Sequence, residues 1–149
     1  MTILIRNAEL TDLDDLLLLY AQLNPTDPCL SDVAARPILQ TMLVREGLSV
    51  LVALLGVKLA GSVTLLIVPN LTRGGASYAL VENVVTHKDY RRCGIGKALL
   101  AEAARLAQQA GCYKLMLLTS RTEPHVHSFY TDCGLRQTKV GFQMRFHSH

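Results

Sequence analysis

Apolar positions along this chain keep two rhythms, that of a helix face and that of a buried strand. Leu13, Leu16, Leu17, Tyr20 and Leu23 fall at the three- and four-residue spacing of a helix. Thr11 stands before them as an N-cap, with Asp12, Asp14 and Asp15 in the first turn, where the helix dipole favours acids. Asn24-Pro25 ends that helix, and Ser31-Asp32 caps a second one running through Ile38, Met42 and Leu43 to Gly47. Ile3 and Ile5 give residues 3–6 the pattern of a short opening strand. Residues 48–55 and 57–68 are rich in Val, Leu and Ile with Gly56 between them, which predicts a hairpin of buried strands. Asn70, Arg73, Gly74 and Gly75 make residues 69–76 a loop by their turn chemistry, and residues 78–86 form a fourth strand.

The helical period then returns. Ile95, Leu99, Leu100, Ala103, Leu106, Ala107 and Ala110 make one apolar stripe over residues 95–110, and Gly111 is placed to stop it. Residues 113–119 read as a further strand, and Glu123-Pro124 opens a short helix that carries Phe129 and Tyr130 and ends at Gly134. A last strand pair, residues 135–140 and 142–146, closes the chain. The predicted order is β-α-α-β-β-β-α-β-α-β-β, which places the chain in the α/β (α+β) class.

Composition narrows the function more than the fold. A length of 149 residues fits one domain, residues 1–149. The longest apolar run is interrupted by Gly56, Lys58 and Gly61, short of a membrane span. Met1-Thr2-Ile3-Leu4-Ile5-Arg6 lacks the pattern of an export signal, so the chain is expected in the cytoplasm. A net charge of +3 from scattered basic residues, with 5% aromatics, gives nucleic acid no support. Cys29, Cys93, Cys112 and Cys133 form no CxxC pair and have no histidine at zinc spacing, so free thiols and no metal are expected. His147 and His149 are expected to be solvated and mobile.

The informative stretch is Val84-Val85-Thr86-His87-Lys88-Asp89-Tyr90-Arg91-Arg92-Cys93-Gly94-Ile95-Gly96-Lys97. A strand enters a basic, glycine-containing turn, and the turn opens an amphipathic helix. Backbone N–H groups at a helix start are unpaired and carry partial positive charge, so they suit phosphate oxygens. Gly94 and Gly96 let the main chain approach without a Cβ in the way, and Arg91, Arg92 and Lys97 add positive charge. A Walker loop would need Ser or Thr after Gly96-Lys97, where Ala98 stands; a dinucleotide fingerprint would need glycine at Leu99. The turn therefore predicts a pyrophosphate site of another kind.

Arg91, Gly94 and Gly96 satisfy the (Gln/Arg)-x-x-Gly-x-(Gly/Ala) signature, and the chain resembles the GNAT N-acetyltransferases over nearly its whole length. The resemblance implies a mixed, mostly antiparallel sheet with helices on both faces and with splayed fourth and fifth strands. The pantetheine arm of acetyl-CoA would lie in the splay against Val84, Val85 and Thr86, with its pyrophosphate on Arg92, Cys93, Gly94, Ile95, Gly96 and Lys97 beside Arg91. Within the superfamily, Val81-Glu82-Asn83-Val84-Val85, Gly111-Cys112-Tyr113-Lys114, Phe129-Tyr130 and Cys133-Gly134 are similar to the glucosamine-6-phosphate N-acetyltransferases. Asn83 stands where those enzymes carry an acidic residue facing the amine.

Transfer to an amine needs proton removal, a polarised thioester carbonyl and protonation of the thiolate. The resemblance offers Tyr130 as the acid. Glu82 interrupts an apolar strand and is the candidate base, directly or through water, and also a substrate contact. Asn83, and Arg73 in the loop with Asn70 and Thr72, are further candidate substrate contacts. His127 lies three residues from Tyr130 and could relay a proton, although for it, as for His125, a surface or packing role is the commoner case. His87 reads as a turn residue. The expected activity is acetyl transfer to a primary amine of a small molecule, an amino sugar or amino acid derivative, through a ternary complex. Peptide N-acetylation and acyl-CoA binding without turnover are the alternatives. The apolar carboxy-terminal strands, with the family's habit of dimerising, imply a homodimer.

Overall fold

Residues 50 to 53 show why the hairpin is apolar at every position. Leu51 and Ala53 pack into one cluster with Val63, Leu65, Val81 and Ile95, while Val50 and Val52 pack into a second with Leu13, Leu16 and Leu39. Successive residues of a strand point to opposite faces, and here both faces are covered. The computed structural model describes residues 2–147, so His149 lies outside the described residues.

β2 (Leu48–Leu55) and β3 (Lys58–Val68) form the antiparallel hairpin, β1 (Ile3–Asn7) adds to β2, and β4 (Tyr78–Thr86) adds to β3. β5 (Leu115–Leu117) joins β4 in parallel, so the sheet order is β1-β2-β3-β4-β5, mixed and mostly antiparallel. A parallel neighbour needs a crossover, and α3 (Ile95–Gln109) supplies it. α3 and α4 (Pro124–Asp132) cover the first cluster; α1 (Leu13–Leu23) and α2 (Asp32–Val44) cover the second. The helices thus lie on both faces, as expected. No helix among the described residues is long and apolar enough to cross a membrane.

Ser31 caps α2 by accepting from the Ala34 N–H at 3.2 Å. α2 ends at Val44, before Gly47. The entry to α1 differs from the expected Thr11 cap. A 3-10 turn (Leu10–Asp12) comes first, and Asp12 is buried, bonded by Arg6 at 2.7 and 3.0 Å and by the Glu9 N–H at 2.7 Å. A carboxylate with three donors outcompetes a threonine hydroxyl for that turn.

The carboxy-terminal strand pair is a correction. Residues 135–147 form neither helix nor strand, and Val140, Phe142, Met144 and Phe146 are 84, 93, 79 and 84% exposed. Their period-two pattern is what predicted strands. β5, however, is only three residues long rather than residues 113–119, and offers little edge to pair with.

Candidate active site

α3 begins at Gly94, whose φ of +81° lies in the left-handed region. The helix ladder starts with Ala98 N–H donating to the Gly94 carbonyl at 3.0 Å. The amides of Ile95, Gly96 and Lys97 therefore precede it, at the positive end of the dipole. A Cβ added at Gly94 would meet nothing within 4 Å, so the cradle opens outward. Arg91, Arg92, Cys93 and Lys97 are exposed around it, and Cys93 Sγ donates to the Arg91 carbonyl at 3.6 Å. This combination can hold an anion of phosphate size.

Gly96 also has a packing reason to be glycine. It is buried, and a Cβ there would come within 2.9 Å of Phe129 Cζ and 3.6 Å of Thr86 Oγ1. The missing side chain admits Phe129, which brings α4 against the start of α3 and the end of β4. The turn between β4 and α3 is tied down separately. Its Lys88 N–H donates to Gln22 Oε1 of α1 at 2.9 Å, and His87 Nδ1 accepts from the Asp89 N–H at 3.1 Å. His87 is thus a turn residue, as its position predicts.

β4 is the second component. Its ladder with β5 runs through Ala79↔Leu115, Leu80↔Met116 and Val81↔Leu117 and then ends, while β4 continues to Thr86. The register against β3 slips at the same place, from Thr64↔Glu82 to Ser62↔Val85, with Asn83 at φ +53°. The slip is a bulge in β4, and bulges re-aim side chains beside sites. Glu82 and Asn83 are exposed there, Val84 packs with the α3 cluster, and Val85 is buried in the cluster under α1 and α2. Val85 can therefore offer a ligand on the α3 side only its backbone.

Tyr130 packs against the α3 cluster with its ring centroid 5.3 Å from that of Phe129. Burial, then nearby Cys133, push its phenol above the ordinary value, with Arg121 acting the other way. It stays protonated at neutral pH, which suits a proton donor. His127 Nε2 donates to the Arg121 carbonyl at 2.8 Å, a bond that fixes the loop before α4. His125 is exposed.

The structure thus brings Val84, Thr86, Ile95, Gly96, Phe129 and Tyr130 together. It does not bring Arg73 to Glu82. Arg73 sits in the turn before β4 with its guanidinium 5.6 Å from the Tyr113 ring, whereas Glu82 lies midway along that strand. Sequence reasoning missed a polar group on the α1 side: Tyr20, Ser62 and Thr64, of which Ser62 and Thr64 are buried. Two hydroxyls inside the apolar run of β3 were the available signal.

The Acetyltransferase (GNAT) family model matches residues 13–135. A Trypanosoma brucei brucei protein named glucosamine 6-phosphate N-acetyltransferase is 37% identical over 79 residues, 53% of this chain. The chain spans about half the length of two of the curated relatives it matches, 52% of this one and 43% of one from Oryza sativa. A solved protein of Agrobacterium tumefaciens str. C58, described as a candidate acetyltransferase, is 46% identical with a TM-score of 0.92, covering 95% of this chain and 99% of its own. A solved Trypanosoma brucei acetyltransferase is 29% identical with a TM-score of 0.83, covering 97% and 100%. With the family model matched over residues 13–135, most of its length, the chain belongs to the GNAT acetyltransferase family.

Proposed function

We propose that this acetyltransferase moves the acetyl group of acetyl-CoA to a primary amine of a small molecule, an amino sugar or amino acid derivative, within a ternary complex. One observation carries the reading: β4 loses its β5 neighbour after Val81 just where the open Gly94 cradle begins α3. An extended, amide-bearing arm fits along Asn83, Val84, Val85 and Thr86, and a pyrophosphate fits on residues 92–97 with Arg91 beside them. Acetyl-CoA supplies the thioester as acyl donor. Glu82, directly or through water, takes a proton from the acceptor's ammonium, the neutral amine attacks the thioester carbonyl, and as the C–S bond breaks Tyr130 protonates the departing thiolate. Asn83 contacts the acceptor. Similarity to named glucosamine 6-phosphate N-acetyltransferases makes that amine the first acceptor to try, and an anionic acceptor reaching the 69–77 loop would meet Arg73.

The same reading has the protein in the cytoplasm, where its four free cysteines stay reduced. It is a homodimer that covers Val140, Phe142, Met144 and Phe146, which are exposed in the single chain. Light scattering at micromolar concentration should give twice the chain mass; a monomer would contradict the dimer.

Calorimetry of acetyl-CoA against the parent and Arg91→Glu, followed by thiol release with a panel of amines, tests the activity. Micromolar binding weakened by the substitution, with turnover of a small amine, is expected. Turnover of peptide amines alone would make it a peptide N-acetyltransferase. Binding without any turnover would make it an acyl-CoA-binding module.

A further inference from the structure

Thr64 is buried at 8% exposure, and among the described residues its Oγ1 is a buried side-chain oxygen without a hydrogen-bond partner. Its neighbours are polar and already committed. Ser62, fully buried, donates to the Leu51 carbonyl at 2.8 Å, and the Tyr20 hydroxyl of α1 lies close enough to Ser62 and Thr64 for both hydroxyls to lower its phenol against the rise from burial. Burial holds the Tyr20 phenol above its ordinary value, so it remains a donor. A buried hydroxyl oxygen without a settled partner calls for one.

The register names the partner. Thr64 stands directly opposite Glu82, the last β4 residue before the bulge. Directly opposed residues share a face with Cβ atoms about 4.5–5.5 Å apart, within reach of a carboxylate on a hydroxyl. Glu82 is exposed, so solvent reaches its carboxylate.

We propose that Thr64 and Tyr20 are positioning residues for Glu82: when ligand covers β4 and removes its carboxylate from water, Thr64 O–H donates to Glu82 and Thr64 Oγ1 accepts from Tyr20 O–H. The chain of hydroxyls fixes the carboxylate on the α1 side of the bulge and aims it at an amine arriving there. This rests on the reading of Glu82 as the base, although the hydrogen bond itself can be tested without turnover.

A high-resolution crystal structure with acetyl-CoA bound, and one without, comes first. Glu82 Oε within hydrogen-bond distance of Thr64 Oγ1 in the complex supports the inference; Glu82 in solvent with Thr64 still unpaired, or Thr64 bonded elsewhere, overturns it. Kinetics with glucosamine 6-phosphate as the amine then separate positioning from mere packing. Thr64→Val should lower kcat about tenfold with the KM for acetyl-CoA unchanged, Thr64→Ser should restore it, and Tyr20→Phe should lower kcat by a smaller factor. In a Glu82→Gln background, Thr64→Val should change kcat less than about twofold, because the base that it positions is gone. An equal loss in both backgrounds overturns the inference. A parent protein without turnover of any amine would defeat the proposed activity instead, and the Thr64–Glu82 bond would then be decided by the two crystal structures.

Discussion

The two halves of β4 are neighbours in one strand and are built for opposite purposes. Ala79, Leu80 and Val81 are paired on both edges, by β3 and by β5, and Ala79 and Val81 are buried. Residues 82–86 keep β3 on one side, through a bulge, and have left β5 on the other. Backbone donors and acceptors inside a sheet demand partners, so an edge left open beside a helix start is a place for a ligand's amides. The first half is built into the sheet; the second half leaves the open edge on which the proposed cofactor arm would lie.

Adjacent substitutions should break this comparison most sharply. Val81 is 2% exposed, and Val81→Asp buries an uncompensated carboxylate, so the folded protein should be lost from circular dichroism melts. Glu82→Gln, one residue on and exposed, should leave Tm within about a degree or two while lowering turnover. If both melt alike, the division of the strand is wrong.

Gly94→Glu comes next. It adds a like charge to the phosphate cradle and a side chain at φ +81°, so affinity for acetyl-CoA should fall about a hundredfold by calorimetry, with the fold retained. Tyr130→Phe removes one proton donor and no packing. A fall in kcat of about ten- to a hundredfold at unchanged KM for acetyl-CoA is expected in the thiol-release assay, and unchanged kcat would end its proposed role.

The smallest effect lies far from the site and checks that the fold can be weakened without touching it. The hydrogen bonds from Arg6, and then the Glu9 N–H, hold the Asp12 carboxyl below its usual range against the opposing effect of burial. A carboxyl depressed in the folded state gives stability that is present above the unfolded value of about 4 and is lost as pH falls through the folded value. Asp12→Asn should therefore cost about 2 kcal/mol at pH 7 in urea melts, with the difference from the parent shrinking below about pH 4. Acetyl-CoA affinity should not change.

The elements that were legible are those whose pattern is satisfied within a few turns of chain. The stripe from Ile95 to Ala107, the glycine at 94 and the cap at Ser31 each carry their own reason, and each stands where it was read. The errors fall where a distant residue decides. Asp12 left the helix for Arg6, and the alternation through Val140 and Phe146 found no edge in this chain. Glu82 stood out because it breaks an apolar strand, and Arg91 and Gly94 because they belong to a basic glycine turn that opens a helix. Tyr20 and Thr64 were hidden because a tyrosine on a helix stripe and a threonine in a strand also read as ordinary core.

The most direct test of the central claim is an amide chemical-shift titration with acetyl-CoA, read residue by residue along β4. The account predicts the largest changes at Asn83 to Thr86 and at Gly94 to Lys97, with Ala79, Leu80 and Val81 little affected. Large changes confined to residues 69–77, or none in the second half of β4, would contradict it.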